Sequence, residues 1–247
     1  MRIDRGLVLA LALSLAPPVM AAGGGSYPDA GTDIHDTPSL QRGARNFANY
    51  CMGCHSAEYM RWNRLAADLG ISDQVLEENL MLAGGKPHDV ILSAMPAAQA
   101  AEWFGKAPPD LSLIARSRGV DYLSAFLHGF YADPSRPTGV NNTVLANTAM
   151  PHVLVGLQGL QEAEYELVTR ADGATEQRLV GFKLDAPGEL TPAEYDGFVR
   201  DTVNFLDYMG EPVKAKRERL GVWVVLFLLV LFLLAWLQKK EYWKDVR

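Results

Sequence analysis

The chain has 247 residues, of which 49% are hydrophobic and 21% are charged, and its formal net charge is −6. This length allows one large domain or two small ones, and the acidic balance argues against nucleic acid as a partner. Segment 23–210 alone carries 13 Lys and Arg against 24 Asp and Glu, a net charge of −11. An acidic surface of this kind attracts basic protein partners, and it also keeps an exported domain soluble.

The first 22 residues have the pattern of a secretory signal peptide. Arg2 and Arg5 give the positive start, an apolar stretch covers 7–15, and small residues at 19–21 form the cleavage pattern. The apolar stretch is too short for a spanning helix, which needs about 20 apolar residues. We therefore expect segment 1–22 to be removed after export begins.

A second apolar segment, 220–237, contains no charged residue, Pro or Asn. As a helix it would be about 27 Å long, close to the thickness of the hydrocarbon layer. Trp223 and Trp236 lie near its two ends, where indole rings prefer the headgroup region. The pattern predicts one transmembrane helix, preceded by a basic linker over 211–219.

Charge alone does not orient this helix, because four basic residues flank each end. The signal peptide does orient it: if the chain is exported, domain 23–210 is periplasmic and the tail 238–247 stays in the cytoplasm. The sequence therefore predicts a single-pass protein of a bacterial inner membrane.

The exported domain is predicted to be mainly α-helical, with helix starts marked by capping residues followed by Pro. In chain order, the patterns predict a loose lead-in (23–36), a helix from Thr37-Pro38 to Cys51, an amphipathic helix (73–82), a long loop (84–110), a helix (111–131), a second loop (132–150), a β-hairpin (165–185) turning at Asp172-Gly173, and a helix (192–209) that follows the capping box Thr191–Glu194.

The run Cys51-Met52-Gly53-Cys54-His55 carries the chemistry. In an exported chain this is the pattern of covalent c-type haem, with Cys51 and Cys54 bonded to the porphyrin and His55 as the fifth iron ligand. A thioredoxin-type pair would follow a strand, whereas an amphipathic helix precedes Cys51. A zinc site would need further Cys or well-spaced His. The sequence therefore predicts one covalent haem c.

The sixth iron position decides the activity, and two Met-Pro pairs stand out. Met150 and Met95 are each followed by Pro, which fixes the backbone beside a ligand in a loop. Met150 lies in a later loop, nearer the last helix of the domain, and is favoured; Met95 is the alternative. His and Met together fill the iron coordination sphere, which predicts electron exchange rather than substrate chemistry. The full candidate set is Met60, Met81, Met95, Met150, Met209, His35, His88, His128 and His152.

Several segments together resemble the cytochrome c1 family, the haem subunits of bacterial-type cytochrome bc1 complexes (ubiquinol–cytochrome c reductases). Pro108-Pro109-Asp110-Leu111-Ser112, ahead of an Arg-x-Arg pair, is the most discriminating of them. The resemblance rests on Gln41-Arg42-Gly43, Cys51 to His55, Ala107 to Ser112, Ala115 to Gly119 with Asp121-Tyr122, Pro137-Thr138-Gly139, Met150-Pro151 and the C-terminal anchor.

The resemblance implies a cytochrome c-like haem domain in which the first and last helices cross. It implies axial ligation by His55 and Met150, a hydrogen bond from the His55 ring to the Pro109 carbonyl, an Arg118 contact to a haem propionate, and a pocket lined by Tyr122. It also implies electron transfer from the Rieske iron–sulfur protein to a soluble cytochrome c, an anchor beside cytochrome b in the membrane lipid, and a dimeric complex.

The chain also departs from the family pattern. Loop 84–107 is short, segment 152–190 matches poorly, and a second Cys pair is missing. Glu162, Glu164 and Glu166 are candidate docking residues for a basic acceptor. Two other functions stay open: a stand-alone anchored cytochrome c that serves a terminal oxidase, and a haem sensor or peroxidase with an open iron position.

Overall fold

The computed structural model describes residues 27–169 and 175–245. The predicted signal peptide, 1–22, and the predicted turn at Asp172-Gly173 lie outside this part of the chain. The described helices are α1 (Thr37–Asn46), α2 (Trp62–Leu69), α3 (Asp73–Asn79), α4 (Ala97–Phe104), α5 (Ile114–Arg118), α6 (Val120–His128), α7 (Val155–Gln158), α8 (Pro192–Gly210) and α9 (Lys214–Tyr242).

The described strands form three separate antiparallel pairs. The largest is a long hairpin, and the other two are short antiparallel pairs of strands within the loop regions. The pairs are β1 (Ala57–Arg61) with β2 (Val90–Ile91), β3 (Phe130–Ala132) with β4 (Val140–Asn142), and β5 (Gly159–Thr169) with β6 (Thr175–Pro187). The predicted class is therefore confirmed: a mainly helical domain with a hairpin insertion and one long apolar C-terminal helix.

Helices α1 and α8 form the frame of the domain by crossing at Gly43. A Cβ atom at Gly43 would overlap the backbone of Asp201 and the Cβ of Phe205, so only glycine permits this close approach. One turn further along, the rings of Phe47 and Phe205 pack with their centroids 5.7 Å apart. The segment 41–43, part of the family resemblance, is thus the α1 side of the crossing.

Buried hydrogen bonds fix the two crossing helices in register. The Asp201 carboxylate, which is 5% exposed, accepts hydrogen bonds from Ser39 Oγ at 2.7 Å and from Arg42 Nη2 at 3.0 Å. Asn46 donates from Nδ2 to Thr202 Oγ1 at 3.1 Å. A buried carboxylate is tolerated only when it is paired in this way, so the pairing specifies one alignment of α1 on α8.

The helix caps agree with the prediction at α8 and differ at α1. At α8, Thr191 and Glu194 form the predicted capping box, and Pro192 is the first helical residue. At α1, the cap is Asp36, whose carboxylate accepts the N–H of Ser39 at 3.1 Å, and Thr37 is already helical. Asp and Thr are both good N-cap residues, so the sequence pattern predicts a start of α1 one residue later than the observed one.

Two loop predictions and one helix prediction were wrong, because short elements are set by tertiary contacts rather than by local propensity. Segment 84–110 contains β2 and α4, and segment 132–150 contains β4. The helix predicted over 111–131 is divided at Gly119, whose φ of +89° ends α5 and begins α6. Helix α2 was not predicted, and the hairpin is longer than segment 165–185.

The described part of the lead-in, 27–36, is packed against the domain rather than loose. The N–H of Ala30 donates to the Asp121 carboxylate at 2.8 Å, and the carbonyl of Asp33 accepts from Asn204 Nδ2 at 2.7 Å. Ala30 itself is buried. The sequence prediction missed this because Gly- and Asp-rich segments lack apolar periodicity, while these contacts are single hydrogen bonds over long sequence distances.

Helix α9 is long enough and apolar enough to cross a bilayer, and its candidate membrane-spanning window is not buried. At 29 residues it is about 43 Å long. It contains the predicted span 220–237, and it also begins earlier, at Lys214, so most of the predicted linker is helical. Lys214 pairs with Asp207 at 2.9 Å and connects the start of α9 to the end of α8. Helix α9 fits a single-pass membrane anchor.

Replacement of Gly43 by Ala should destabilise the domain by about 1–3 kcal/mol, because the added methyl group must separate α1 from α8. Gly156→Ala is the control, since a Cβ at Gly156 meets no atom within 4 Å. Denaturant unfolding of the full chain in detergent, followed by circular dichroism, measures both. Equal stability of the two variants would contradict the proposed crossing contact.

Candidate haem-attachment site

The residues of the Cys51–His55 motif are presented by a tight turn at the end of α1. Helix α1 continues into a π-helical turn, Phe47–Cys51, in which the N–H of Met52 donates to the Phe47 carbonyl at 2.9 Å. The N–H groups of Cys54 and His55 then donate to the Cys51 carbonyl at 3.0 and 2.9 Å. A π-helical turn holds one extra residue, which widens the helix locally. Such turns are frequent at functional sites.

The two thiols are half-buried and are not joined to each other. Burial raises the pKa of the Cys51 thiol to about 12, with a smaller contribution from neighbouring Cys54. A dithiol redox pair needs a thiolate of lowered pKa, so the environment of Cys51 argues against thioredoxin-like chemistry. Burial of this kind suits a sulfur that is covalently bonded to an apolar group.

The His55 ring is held by one backbone hydrogen bond, with Nδ1 2.7 Å from the Pro109 carbonyl oxygen. A carbonyl only accepts hydrogen bonds, so Nδ1 carries the proton. Burial lowers the pKa of His55, against the opposing effects of the Pro109 bond and the Asp110 charge. The ring is therefore a neutral imidazole with its lone pair on Nε2, which is the form that binds a metal.

The Pro109 carbonyl is fixed in turn by Asp110, a residue to which the sequence analysis gave no role. The Asp110 carboxylate accepts the N–H groups of Glu58 and Ser112, each at 2.8 Å. The N–H of Leu111 donates to the Ser56 carbonyl at 2.8 Å. The discriminating Pro-Pro-Asp-Leu-Ser segment is thus bound to the residues that directly follow His55, and so it holds the acceptor of the imidazole proton in place.

Among the nine candidates for a sixth ligand, most are engaged elsewhere in the fold. Met60, Met81 and Met209 are 2–5% exposed and belong to the hydrophobic core. His128 bonds Ser124 and Asp196, at 2.8 and 3.0 Å. His35 and His88 lie beside the carboxylates of Glu218 and Asp89, and His152 is buried against the ring of Phe130.

Of the candidate methionines, Met95 and Met150 remain, and their loops differ in position. Met95 and Met150 are both half-buried and outside the core. The Met95 loop is attached to the His55 side of the site, because Ser93 Oγ donates to the Gly53 carbonyl at 3.0 Å and accepts the N–H of Met95 at 3.0 Å. The Met150 loop has no such connection among the described hydrogen bonds.

Arg118 and Tyr122 lie side by side at the junction of α5 and α6. The guanidinium carbon of Arg118 is 5.6 Å from the ring centroid of Tyr122, a cation–π distance. Arg118 is exposed, and the ion pairs of the described residues do not include it. Tyr122 is half-buried and also meets Tyr27 edge-on at 5.7 Å.

Comparison with known proteins gives the family. The model of the Cytochrome C1 family matches residues 29–246. The chain belongs to the cytochrome c1 family. It is 51% identical to "Cytochrome c1" of Allochromatium vinosum, over 98% of this chain and 99% of that one. It is 43% identical to "Ammonia monooxygenase gamma subunit" of Nitrosomonas europaea, over 96% and 97%. It is 29% identical to "Cytochrome b/c1" of Bradyrhizobium diazoefficiens, over 85% of this chain and 34% of that one.

Membership of the cytochrome c1 family implies haem binding, and the residues of the site fit haem c. Two separate thiols stand next to a neutral imidazole whose Nε2 is free to bind iron. Apolar side chains at the edge of the core are only half-buried, and an apolar macrocycle would complete their burial. These side chains are Leu111, Ile114, Tyr122 and Val153.

The three Glu residues proposed for docking share one face of β5. In the register of the hairpin, Glu162 is opposite Lys183 and Glu166 is opposite Arg178. Arg178 forms an ion pair with Glu166. Two of the three carboxylates therefore have basic neighbours, which weakens this face as an acidic docking patch.

Replacement of Asp110 by Ala should destabilise the haem-loaded protein by about 1–3 kcal/mol, because two backbone N–H groups lose their acceptor. Asp110→Asn keeps one acceptor oxygen and should lose less. Denaturant unfolding followed through the haem absorption band measures both. An Asp110→Ala variant as stable as the natural chain would contradict the role given to this carboxylate.

Proposed function

We propose that this chain is the electron-transfer haem subunit of a ubiquinol–cytochrome c reductase, accepting electrons from the Rieske iron–sulfur protein and passing them to a soluble cytochrome c. The observation that carries the proposal is the His55 ring, whose Nδ1–H is held by the Pro109 carbonyl beside two separate thiols. This arrangement leaves Nε2 as the metal-binding nitrogen of a ring that directly follows the second thiol, which supports covalent haem attachment. Family membership supports the same assignment.

Each site residue has a distinct role in the proposal. Cys51 and Cys54 form the thioether links, and His55 and Met150 are the axial ligands. The Pro109 carbonyl accepts the imidazole proton, which orients the ring and raises its basicity towards iron. Arg118 neutralises a propionate, and the guanidinium suits this task because it stays charged at every physiological pH. Tyr122 covers the edge of the macrocycle.

Bound haem supplies a centre that gains and loses one electron. The residues of the chain decide what this centre does. If His55 and Met150 both hold the iron, oxygen and substrates would find no open position on it. The Met150 sulfur raises the reduction potential, which suits a late, oxidising step of a respiratory chain. Apolar contacts exclude water and reduce reorganisation when the charge changes.

The position of Met95 supports Met150 as the sixth ligand. Haem held by His55 would need its second protein ligand from a segment that is not already bound beside His55. Ser93 attaches the Met95 loop to Gly53 and Ser56, on the His55 side of the site. To serve as that ligand, Met95 would have to leave these contacts, whereas the described hydrogen bonds attach no residue of the Met150 loop to the Cys51–His55 motif.

In the membrane, we propose that α9 anchors the domain on the periplasmic side and packs beside cytochrome b within a dimeric complex. Support comes from its length and exposure, and from the family. The Bradyrhizobium relative is named "Cytochrome b/c1", which joins the two cytochromes in one protein. Their association in a single chain is consistent with close packing of the corresponding separate chains.

Replacement of Met150 by Ala should abolish the weak band near the red edge of the visible spectrum that Met–iron ligation gives to the ferric protein. The opened iron should then bind carbon monoxide in the ferrous state. Met95→Ala is the matched control and should leave both properties unchanged. If Met95→Ala lost the band and Met150→Ala retained it, Met95 rather than Met150 would be the sixth ligand.

Purification of the tagged full chain from membranes in mild detergent tests the partners. We expect a multi-pass cytochrome b and a Rieske-type subunit, and the purified complex should reduce soluble cytochrome c with ubiquinol as donor. Purification with terminal oxidase subunits, and without ubiquinol-dependent reduction, would instead support a stand-alone anchored cytochrome.

A further inference from the structure

The loop that delivers Met150 is held by hydrogen bonds rather than by apolar packing. Between β4 and Met150, Leu145 is 46% exposed and its neighbours Ala146 and Asn147 are exposed as well. Within segment 143–149, only Thr148 is buried. A surface loop without an apolar anchor opens easily unless polar contacts fix its backbone.

Asn142 supplies the first of these contacts. Its side chain is 1% exposed, and its Oδ1 accepts the N–H groups of Val144 at 2.9 Å and Leu145 at 3.2 Å. Its Nδ2 donates to the Phe126 carbonyl, in α6, at 2.8 Å. Asn142 therefore folds the start of the loop and attaches it to the helix that also carries Tyr122.

Asn141 supplies a second set of hydrogen bonds to the loop, nearer to Met150. Its Oδ1 accepts the N–H of Asn147 at 2.8 Å, and its Nδ2 donates to the Asp133 carboxylate at 2.9 Å. The Asn147 carbonyl accepts from Arg136 at 3.3 Å, so both backbone groups of Asn147 are held. Asn147 has a φ of +62°, which asparagine tolerates better than most residues.

The contacts continue to Met150 itself. The N–H of Thr148 donates to the Leu145 carbonyl at 3.2 Å, and the N–H of Met150 donates to Thr148 Oγ1 at 3.3 Å. A continuous series of hydrogen bonds thus runs from α6, through Asn142 and Leu145, to the backbone of Met150. Asn141 reinforces this series at Asn147.

We propose that Asn141 and Asn142 are positioning residues for the Met150 sulfur: their buried side-chain amides fix the loop so that the sulfur stays at the iron. This inference rests on the proposed function, in which Met150 is the sixth ligand. Apolar packing of this loop is weak, because Leu145, Ala146 and Ala149 are exposed and Val144 is only half-buried. Loss of either amide removes the hydrogen-bond partners of these backbone groups, which frees the loop and lets the sulfur leave the iron.

The test compares Asn142→Ala with Asn204→Ala in the haem-loaded full chain. Asn204 is equally buried, at 1% exposed, and its Nδ2 donates to the Asp33 carbonyl and to Ser39 Oγ in a different part of the fold. Both variants should lower the unfolding midpoint. Only Asn142→Ala should weaken the Met–iron band and increase carbon monoxide binding to the ferrous protein, by at least tenfold over the natural chain.

Two further variants, Asn141→Ala and Met150→Ala, distinguish a failure of the positioning role from a failure of the ligand assignment. Asn141→Ala removes the Asn147 and Asp133 contacts, should act in the same direction, and serves if Asn142→Ala fails to fold. A natural band and natural carbon monoxide binding in either folded variant, while Met150→Ala loses the band, would overturn the positioning role alone. An unchanged band in Met150→Ala would overturn the ligand assignment of the proposed function.

Discussion

The hydrogen bond between His55 Nδ1 and the Pro109 carbonyl is the constraint on which the site depends. It fixes the tautomer and the orientation of the imidazole together, so the free nitrogen has one possible direction. The bond is only as rigid as the position of the carbonyl. Asp110 provides this rigidity by accepting two backbone N–H groups, one of them from Glu58, just beyond His55. The attachment motif and the segment around Pro109, more than fifty residues later, therefore act as one unit.

The two sides of the site are built in different ways. On the His55 side, the end of α1 is held by the crossing with α8 at Gly43, so the attachment turn rests on the hydrophobic core. On the other side, which Met150 is proposed to supply, the preceding surface loop is held mainly by hydrogen bonds. The first side suits covalent attachment, which needs a fixed frame. The second makes the sixth ligand the part of the site that is most sensitive to single polar substitutions.

Local chemical signals in the sequence predicted the parts of the structure that such signals determine. The capping box at Thr191 and Glu194 and the apolar C-terminal helix each depend on a continuous stretch of sequence, and both predictions are confirmed. The Cys51–His55 motif is equally local, and its role in haem attachment stays a prediction. Short helices and ribbons within 84–150 were missed, because their conformation depends on contacts with distant segments. The roles of Asp110 and Asn142 were missed for the same reason: a single polar residue in a loop carries no periodic signal, and its partners become visible only in the folded chain.

The most direct test of the His55 constraint is nitrogen-15 NMR of the full chain labelled at histidine and loaded with haem. We expect a His55 Nδ1 proton that exchanges slowly with solvent and remains bound from about pH 5 to pH 9, because it is donated to a fixed carbonyl within a buried site. A His55 Nδ1 that exchanges its proton as rapidly as an exposed imidazole, or that carries no proton, would contradict the central role of the Pro109 hydrogen bond.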